Sequence, residues 1–457
     1  MTIRMRRITW LLLGLGALLL LAACQPSTGD EPGLDQTEAE PAPAVEEPTI
    51  VPTAEPAVDT ATEQEVEEEE VEHVTAEPTE PAEDTESSEP LVTEDGTTIF
   101  TVDDRPDRLR AITSRWNTNW NRHTIDYGEI LSGGPPRDGI PSIDNPQFVS
   151  QDEAAEWLAG NEPVIAVEID GEARAYPLQI LTWHEIVNDT IGDTPVTVTF
   201  CPLCNSAIVF DRRLDDEVLD FGTSGLLRNS DLVMYDRTTE SLWQQFTGEA
   251  IVGNMVGKQL TFLPSSIVSF DDFGQAYPDG VVLSRDTGFS RPYGQNPYAG
   301  YDTIGNNPFL FTGEVDGRLP AMERVVAVSL DGADVAYPFS ILSEAGVIND
   351  TQAGQELVVF HMSGTSSALG AAQIAEAEDI GATGVFDPNL DGRKLTFRKE
   401  GDQIVDEETG STWNILGQAI DGPLAGEELA PIVHGDHFWF SWAAFKPDTI
   451  IYQEGGD

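Results

Sequence analysis

Cys201 and Cys204 stand three positions apart as Cys-Pro-Leu-Cys, the only such spacing in a chain of 457 residues. A vicinal pair of this kind makes a two-thiol redox site, in which one thiolate attacks and the other resolves the mixed disulfide. Two other readings stay open. A structural disulfide would close a loop so short that the chain-entropy gain is only about 2 kcal/mol. A metal site would use the Cys-Pro-x-Cys turn to aim both sulfurs at one zinc or copper ion, but a closed zinc site needs four ligands. His184 is the nearest candidate for a third. His434 and His437, in His-Gly-Asp-His, are candidates for others, and Met234 or Met255 would suit Cu(I) as thioethers. In the redox reading His184 lowers the pKa of a neighbouring thiol, and Glu185 orients the imidazole. The bland counterparts are a core histidine packed on Trp183, a solvated helix carboxylate, and a buried aromatic run from Phe438 to Trp442. No P-loop, Gly-x-Ser-x-Gly elbow or His-Glu-x-x-His is present.

The elements that must position these residues are short. A β-branched run, Val196 to Phe200, delivers the cysteines to a tight turn, and Leu178 to Val187 is expected to form a helix carrying His184 and Glu185. Strands are expected over Val164–Ile169, Ala173–Tyr176, Ala207–Arg212, Leu219–Gly222 and Leu232–Tyr235, with Asp170-Gly171 as a hairpin turn. Ser150 and Glu153 have the spacing of a helix start. The frame then returns. Val326 to Gly332 repeats Ile165 to Gly171, and Tyr337-Pro338 and Asn349-Asp350 repeat Tyr176-Pro177 and Asn188-Asp189 at one common offset. Trp243 and its downstream glycines map onto Trp413 and its own. Phe360-His361-Met362-Ser363-Gly364 stands where the first copy has Phe200-Cys201-Pro202-Leu203-Cys204, and Ala345 falls opposite His184. The expected fold class is therefore α+β, β-rich, with two homologous lobes from an internal duplication. Residues 161–290 make the first lobe and 323–455 the second, joined by an ordered loop over 291–322 and preceded by a lead-in over 98–160. The cysteine-free lobe would act as a platform, placing the cysteine turn in a cleft between lobes.

The net charge of −56 excludes nucleic acid as a partner, since phosphate binding needs basic patches. Arg4, Arg6 and Arg7 precede an apolar run that ends in Leu21-Ala22-Ala23-Cys24, the order of a lipoprotein signal peptide over residues 1–23. Lipid on Cys24 would anchor the protein to the membrane outside the cytoplasm. Residues 24–97, rich in Pro, Thr and Glu, have the composition of a disordered acidic spacer.

The runs His184 to Asp189, Phe200 to Ala207, Phe210 to Arg212, Gly222 to Arg237, Ser241 to Trp243 and His434 to Phe440 resemble the family catalogued as domain of unknown function 3179. The resemblance covers nearly everything after the acidic segment. Some members carry selenocysteine within this Cys-x-x-Cys, which implies redox chemistry at Cys201 and Cys204. The expected function is thus a cell-envelope lipoprotein performing thiol/disulfide chemistry with a protein or small-molecule partner and no cofactor. The alternatives are a zinc or copper protein and a non-enzymatic scaffold with a structural disulfide.

Overall fold

The computed structural model describes residues 90–93 and 96–454. The segment expected to be a signal peptide, Cys24 and nearly all of the expected acidic spacer lie outside the described residues. Among the described residues no helix is long and apolar enough to cross a membrane.

Strands dominate and helices are short, a β-rich α+β fold. Asp170 (φ 53°) and Gly171 (φ 84°) take the left-handed conformations that a two-residue hairpin needs. They join strand Pro163–Ile169 to strand Glu172–Pro177, whose register pairs Ile165 with Tyr176. Pro177 caps helix Leu178–His184, because its fixed φ suits a helix start. Strand Ile186–Ile191 then pairs with Thr194–Cys201, and that strand pairs with Ser206–Asp211. A third sheet follows, built on the antiparallel strands Phe221–Arg228 and Asp231–Asp236. Its far edge is Ile130–Ser132 from the lead-in, aligned on Leu226 to Arg228. Ser150 caps a single helical turn, Gln151–Ala154, by accepting from the Glu153 amide.

The expected helix ends earlier than the apolar spacing implied. It stops at His184, and Ile186 and Val187 open the next strand. Glu185 (φ 58°) reverses the backbone there, after which β-branched residues favour extension. The strand expected at Leu219–Gly222 begins instead at Phe221 and runs to Arg228 through a bulge between Thr223 and Leu226.

The element order recurs in the second half. Strands Arg324–Leu330 and Ala333–Pro338, helix Phe339–Ala345, and strands Val347–Gln352 and Gln355–Met362 follow one another as their counterparts do. The polar anchors recur with them. Tyr176 donates its hydroxyl to Asp189 (2.6 Å) and Tyr337 to Asp350 (2.9 Å). Asn188 exchanges two hydrogen bonds with the Phe221 backbone, as Asn349 does with Phe397. The Trp243 indole donates to Asp236 (3.0 Å) and that of Trp413 to Asp406 (3.1 Å). The registers adjust one correspondence. Ile186 pairs with Thr199 and Val347 with Phe360, with a two-residue turn in each hairpin. Met362, not His361, therefore stands where Cys201 does.

The two halves share their cores. Met322, Leu369, Phe438 and Phe440 pack in one cluster with Cys201, Cys204 and Phe200, while Phe360 and Trp413 pack with Val164 and Phe273. Gly225 (φ 75°) marks the closest approach of the lead-in, where an added Cβ would stand 2.1 Å from the Pro135 carbonyl oxygen. Gly225→Ala should lower stability by more than about 2 kcal/mol in denaturant melts. Gly171→Ala, with positive φ but open space around it, should cost only about 1 kcal/mol.

Candidate functional site

Cys201 is the last residue of its strand and pairs with Ser206, so Pro202 to Asn205 form a four-residue turn. Asn205 closes it with φ 51°, a conformation that asparagine tolerates. The turn is pinned from the second half. Phe438 donates its amide to the Cys204 carbonyl (2.9 Å), Asn205 donates its side-chain amide to the Asp436 carbonyl (3.2 Å), and Ser441 stands within hydrogen-bonding reach of the Cys204 thiol. The cysteine turn thus lies where the two halves meet.

Both cysteines are free and buried. Their Sγ atoms and a carboxylate oxygen of Asp231 all lie within 4.8 Å of one another. Asp231 begins its strand after the turn residues Asn229 and Ser230, which have φ 52° and 68°. Its Oδ2 accepts from the Gln244 side chain (2.6 Å) and the Phe246 amide (3.0 Å). Its Oδ1 is buried without a conventional hydrogen bond. Burial pushes the Asp231 carboxyl up to about 7, against the donors that favour its charge, among them the two thiols. Burial raises both thiols as well, Cys204 the further; the neighbouring carboxyls Asp231 and Glu185 add to the effect on Cys201. The Cys201 thiol also faces the Ser230 carbonyl at 3.8 Å.

Glu185 is the second acid. It is 8% exposed, and burial, with the nearby Asp231 charge, pushes it up to about 8. It lines a cavity of about 540 Å³ together with Leu203 of the cysteine turn, Leu232 beside Asp231, and Tyr298 and Tyr301. These tyrosines belong to the 291–322 loop, which Tyr301 fastens to the cysteine turn through its hydroxyl on the Leu203 carbonyl (3.0 Å).

The expected histidines are engaged elsewhere. His184 donates from Nδ1 to the Pro141 carbonyl (2.6 Å), which leaves Nε2 to accept from the Tyr293 hydroxyl (2.6 Å). Burial holds it below its ordinary value, consistent with a neutral ring. It ties the lead-in and the connecting loop to the helix end, and neither ring nitrogen is left for a sulfur. His434 and His437 line a different cavity, of about 730 Å³, with Phe246 and Trp442. Burial drives His437 down to about 3, and its ring stacks on Trp442. The aromatic run is helix Trp439–Phe445, with Trp439 to Ala443 buried. Among the described residues the only group of three converging donors is Cys201, Cys204 and Asp231, and no histidine is in it. Met255 is a partly buried neighbour of the same core and Met234 a buried member.

Asp231 was not singled out from sequence, because an aspartate after Asn-Ser reads as a turn residue. A signal was present in the comparison of halves. The first hairpin pairs six rungs, from Phe221↔Asp236 to Arg228↔Asp231, where the second pairs four, from Phe397↔Asp406 to Glu400↔Gln403. Asp231 sits on the last added rung.

The model of one protein family, described as a protein of unknown function (DUF3179), matches residues 137–449. The chain belongs to this family. The match runs across both halves and includes the cysteine turn, Glu185 and Asp231. Neither the curated proteins nor the solved structures yield a match to the chain.

Both acids hold their protons more tightly folded than unfolded. Unfolded carboxyls ionise near pH 4, so the stability these groups contribute is complete below that and is lost as pH rises through about 7 and 8. The double variant Asp231→Asn, Glu185→Gln should therefore show a shallower fall of melting temperature between pH 5 and 8 than the wild type. Parallel profiles would mean that the two carboxyls are already ionised in the fold.

Proposed function

We propose that this protein performs thiol–disulfide exchange at Cys201 and Cys204, with Asp231 as the base that receives the thiol protons. The observation that carries this reading is the convergence of two free sulfurs and one carboxylate within 4.8 Å, with Asp231 Oδ1 left without a conventional partner. A carboxylate in that position accepts a proton from a thiol that burial otherwise keeps neutral. Cys201 then attacks a disulfide R–S–S–R, the S–S bond breaks, and one R–S⁻ leaves. Cys204 attacks the resulting mixed disulfide and expels the second. The balance is two protein thiols and one disulfide giving one protein disulfide and two R–SH.

Burial sets the size of the partner. A bulky protein surface does not reach sulfurs this enclosed; the cavity of about 540 Å³ beside the cysteine turn, lined by Leu203 and Leu232 but by neither cysteine, has room for a small molecule. Lys, Arg and His are absent from that cavity's lining, and the chain's net charge is −56, so an anionic disulfide is disfavoured against an uncharged or cationic one. We attribute the common frame of the two halves to an internal duplication. We place the protein outside the cytoplasm, anchored through lipid on Cys24, on the strength of the sequence that precedes it.

Mass measurement after alkylation of the full chain, before and after mild oxidation with a small disulfide, tests the centre. One intramolecular Cys201–Cys204 disulfide, reversed by dithiothreitol, is expected. Stoichiometric zinc or copper that leaves in Cys201→Ser would replace this reading with the metal one. Thiols that never pair, with no metal, would leave a scaffold.

A further inference from the structure

We propose that Glu185 is the outer acid of the centre, giving a proton to each thiol that departs from the substrate while Asp231 serves as the inner base. The inference rests on the exchange reading above and assigns the path its protons follow.

Backbone conformation is the first observation. Glu185 has φ 58° and ψ −31°, a region that disfavours every residue with a Cβ. Its counterpart in the second half is Gly346, with φ 69° and ψ −30°. The surrounding bonds are the same. Glu185 donates its amide to the Leu181 carbonyl (2.7 Å) and accepts from the Phe200 amide (2.8 Å); Gly346 does so with Leu342 (2.7 Å) and His361 (2.8 Å). The frame therefore asks for glycine, and the half that holds the cysteines places a glutamate there against that demand.

Placement is the second. Glu185 is the one carboxyl among the residues lining the 540 Å³ cavity, whereas Asp231 is fully buried and outside that lining. The groups that face Glu185 electrostatically are Asp231, Cys201 and Tyr298, and burial holds the tyrosine neutral. Its sequence neighbour His184 is turned to Pro141 and Tyr293. Among the described residues the Glu185 carboxyl has neither an ion pair nor a hydrogen bond, so no structural contact accounts for it. Burial raises the proton affinity of both carboxyls, and their placement orders them: Glu185 at the cavity wall as donor, Asp231 against the sulfurs as acceptor.

The cycle balances. Cys201–SH gives its proton to Asp231 and attacks R–S–S–R; the departing R–S⁻ takes the proton of Glu185 and leaves as R–SH. Asp231 passes its proton to Glu185. Cys204–SH then gives its proton to Asp231 and attacks the mixed disulfide, and the second R–S⁻ takes the proton of Glu185. A final transfer from Asp231 restores both acids.

The test compares two reactions of the reduced full chain between pH 5 and 10: single-turnover oxidation by 2-hydroxyethyl disulfide, and alkylation by iodoacetamide. The first expels a thiolate that needs a proton, and the second expels iodide, which does not. In Glu185→Gln the disulfide reaction should slow about 100-fold below pH 8 and lose its inflection near pH 8, as expected for removal of a general acid. Alkylation should keep its rate below pH 8 and quicken above it, where the wild-type carboxylate beside Cys201 is charged. Glu185→Gly should be as slow in exchange and melt at a higher temperature than the wild type, since the backbone there suits glycine; this also guards against a misfolded Gln variant. Equal exchange rates in wild type and variants would overturn the role, as would a matched fall in both reactions. A wild type that 2-hydroxyethyl disulfide never oxidises overturns the exchange reading itself.

Discussion

Four titratable groups, two thiols and two carboxyls, are buried together, and among the described residues no cationic side chain pairs with them. That constraint governs the site. Transferring an isolated carboxylate into a protein interior is costly, and proteins meet the cost by pairing the charge or by leaving the group protonated. Ion pairs are available nearby, as Arg174 with Asp189 and Arg324 with Asp302 show, yet none reaches Asp231 or Glu185. Burial therefore raises the proton affinity of all four groups. It favours protonated thiols, and in the proposed exchange the acceptor for their protons is Asp231, within 4.8 Å of both sulfurs.

The frame that holds these groups recurs in the second half without them. Its polar anchors, the Tyr–Asp, Asn–backbone and Trp–Asp contacts, occur in both halves with nearly the same distances. Three of the differences between the halves bear on the site. Cys201 stands opposite Met362, Glu185 opposite Gly346, and Asp231 is on the extra rungs of a hairpin that is shorter in the other half. Each difference puts a reactive or titratable side chain where the second half has an inert one or none. The second half is not idle, however, since Phe438 and Asp436 fasten the cysteine turn through backbone contacts. One half carries the two thiols and the other holds their turn in place.

Much of this was legible in the chain. Apolar runs on either side of the Asp-Gly turn located the hairpin that the structure extends over Pro163–Pro177, and repeated Tyr-Pro and Asn-Asp pairs marked the two halves. The cysteine turn between the halves followed from the same comparison. Beyond Asp231, two things did not follow. The helix end at Glu185 was missed because Leu, Ile and Val around it continue a helical spacing, and only a glycine in its place would have announced a reversal, as Gly346 does. Partners of the histidines were also invisible. His184 stands next to the acid that faces the cysteines, but the backbone reversal at Glu185 sends the two side chains apart, one to Pro141 and Tyr293, the other to the cavity. Adjacency in sequence does not survive a residue with positive φ.

That reversal explains why the site and the fold are in tension at one residue. With glycine at 185, the strand entry would form without strain, but no carboxyl would stand between the buried centre and the cavity. With glutamate in an ordinary helical conformation, the carboxyl would continue along the helix and Phe200 would lose the carbonyl its amide now reaches. Only the strained conformation satisfies both the sheet and the cavity. Strain of this kind persists when the surroundings over-determine it. Here they do: the Leu181 carbonyl holds the Glu185 amide, the Phe200 amide holds its carbonyl, and fully buried Ile186 fixes the next step of the chain.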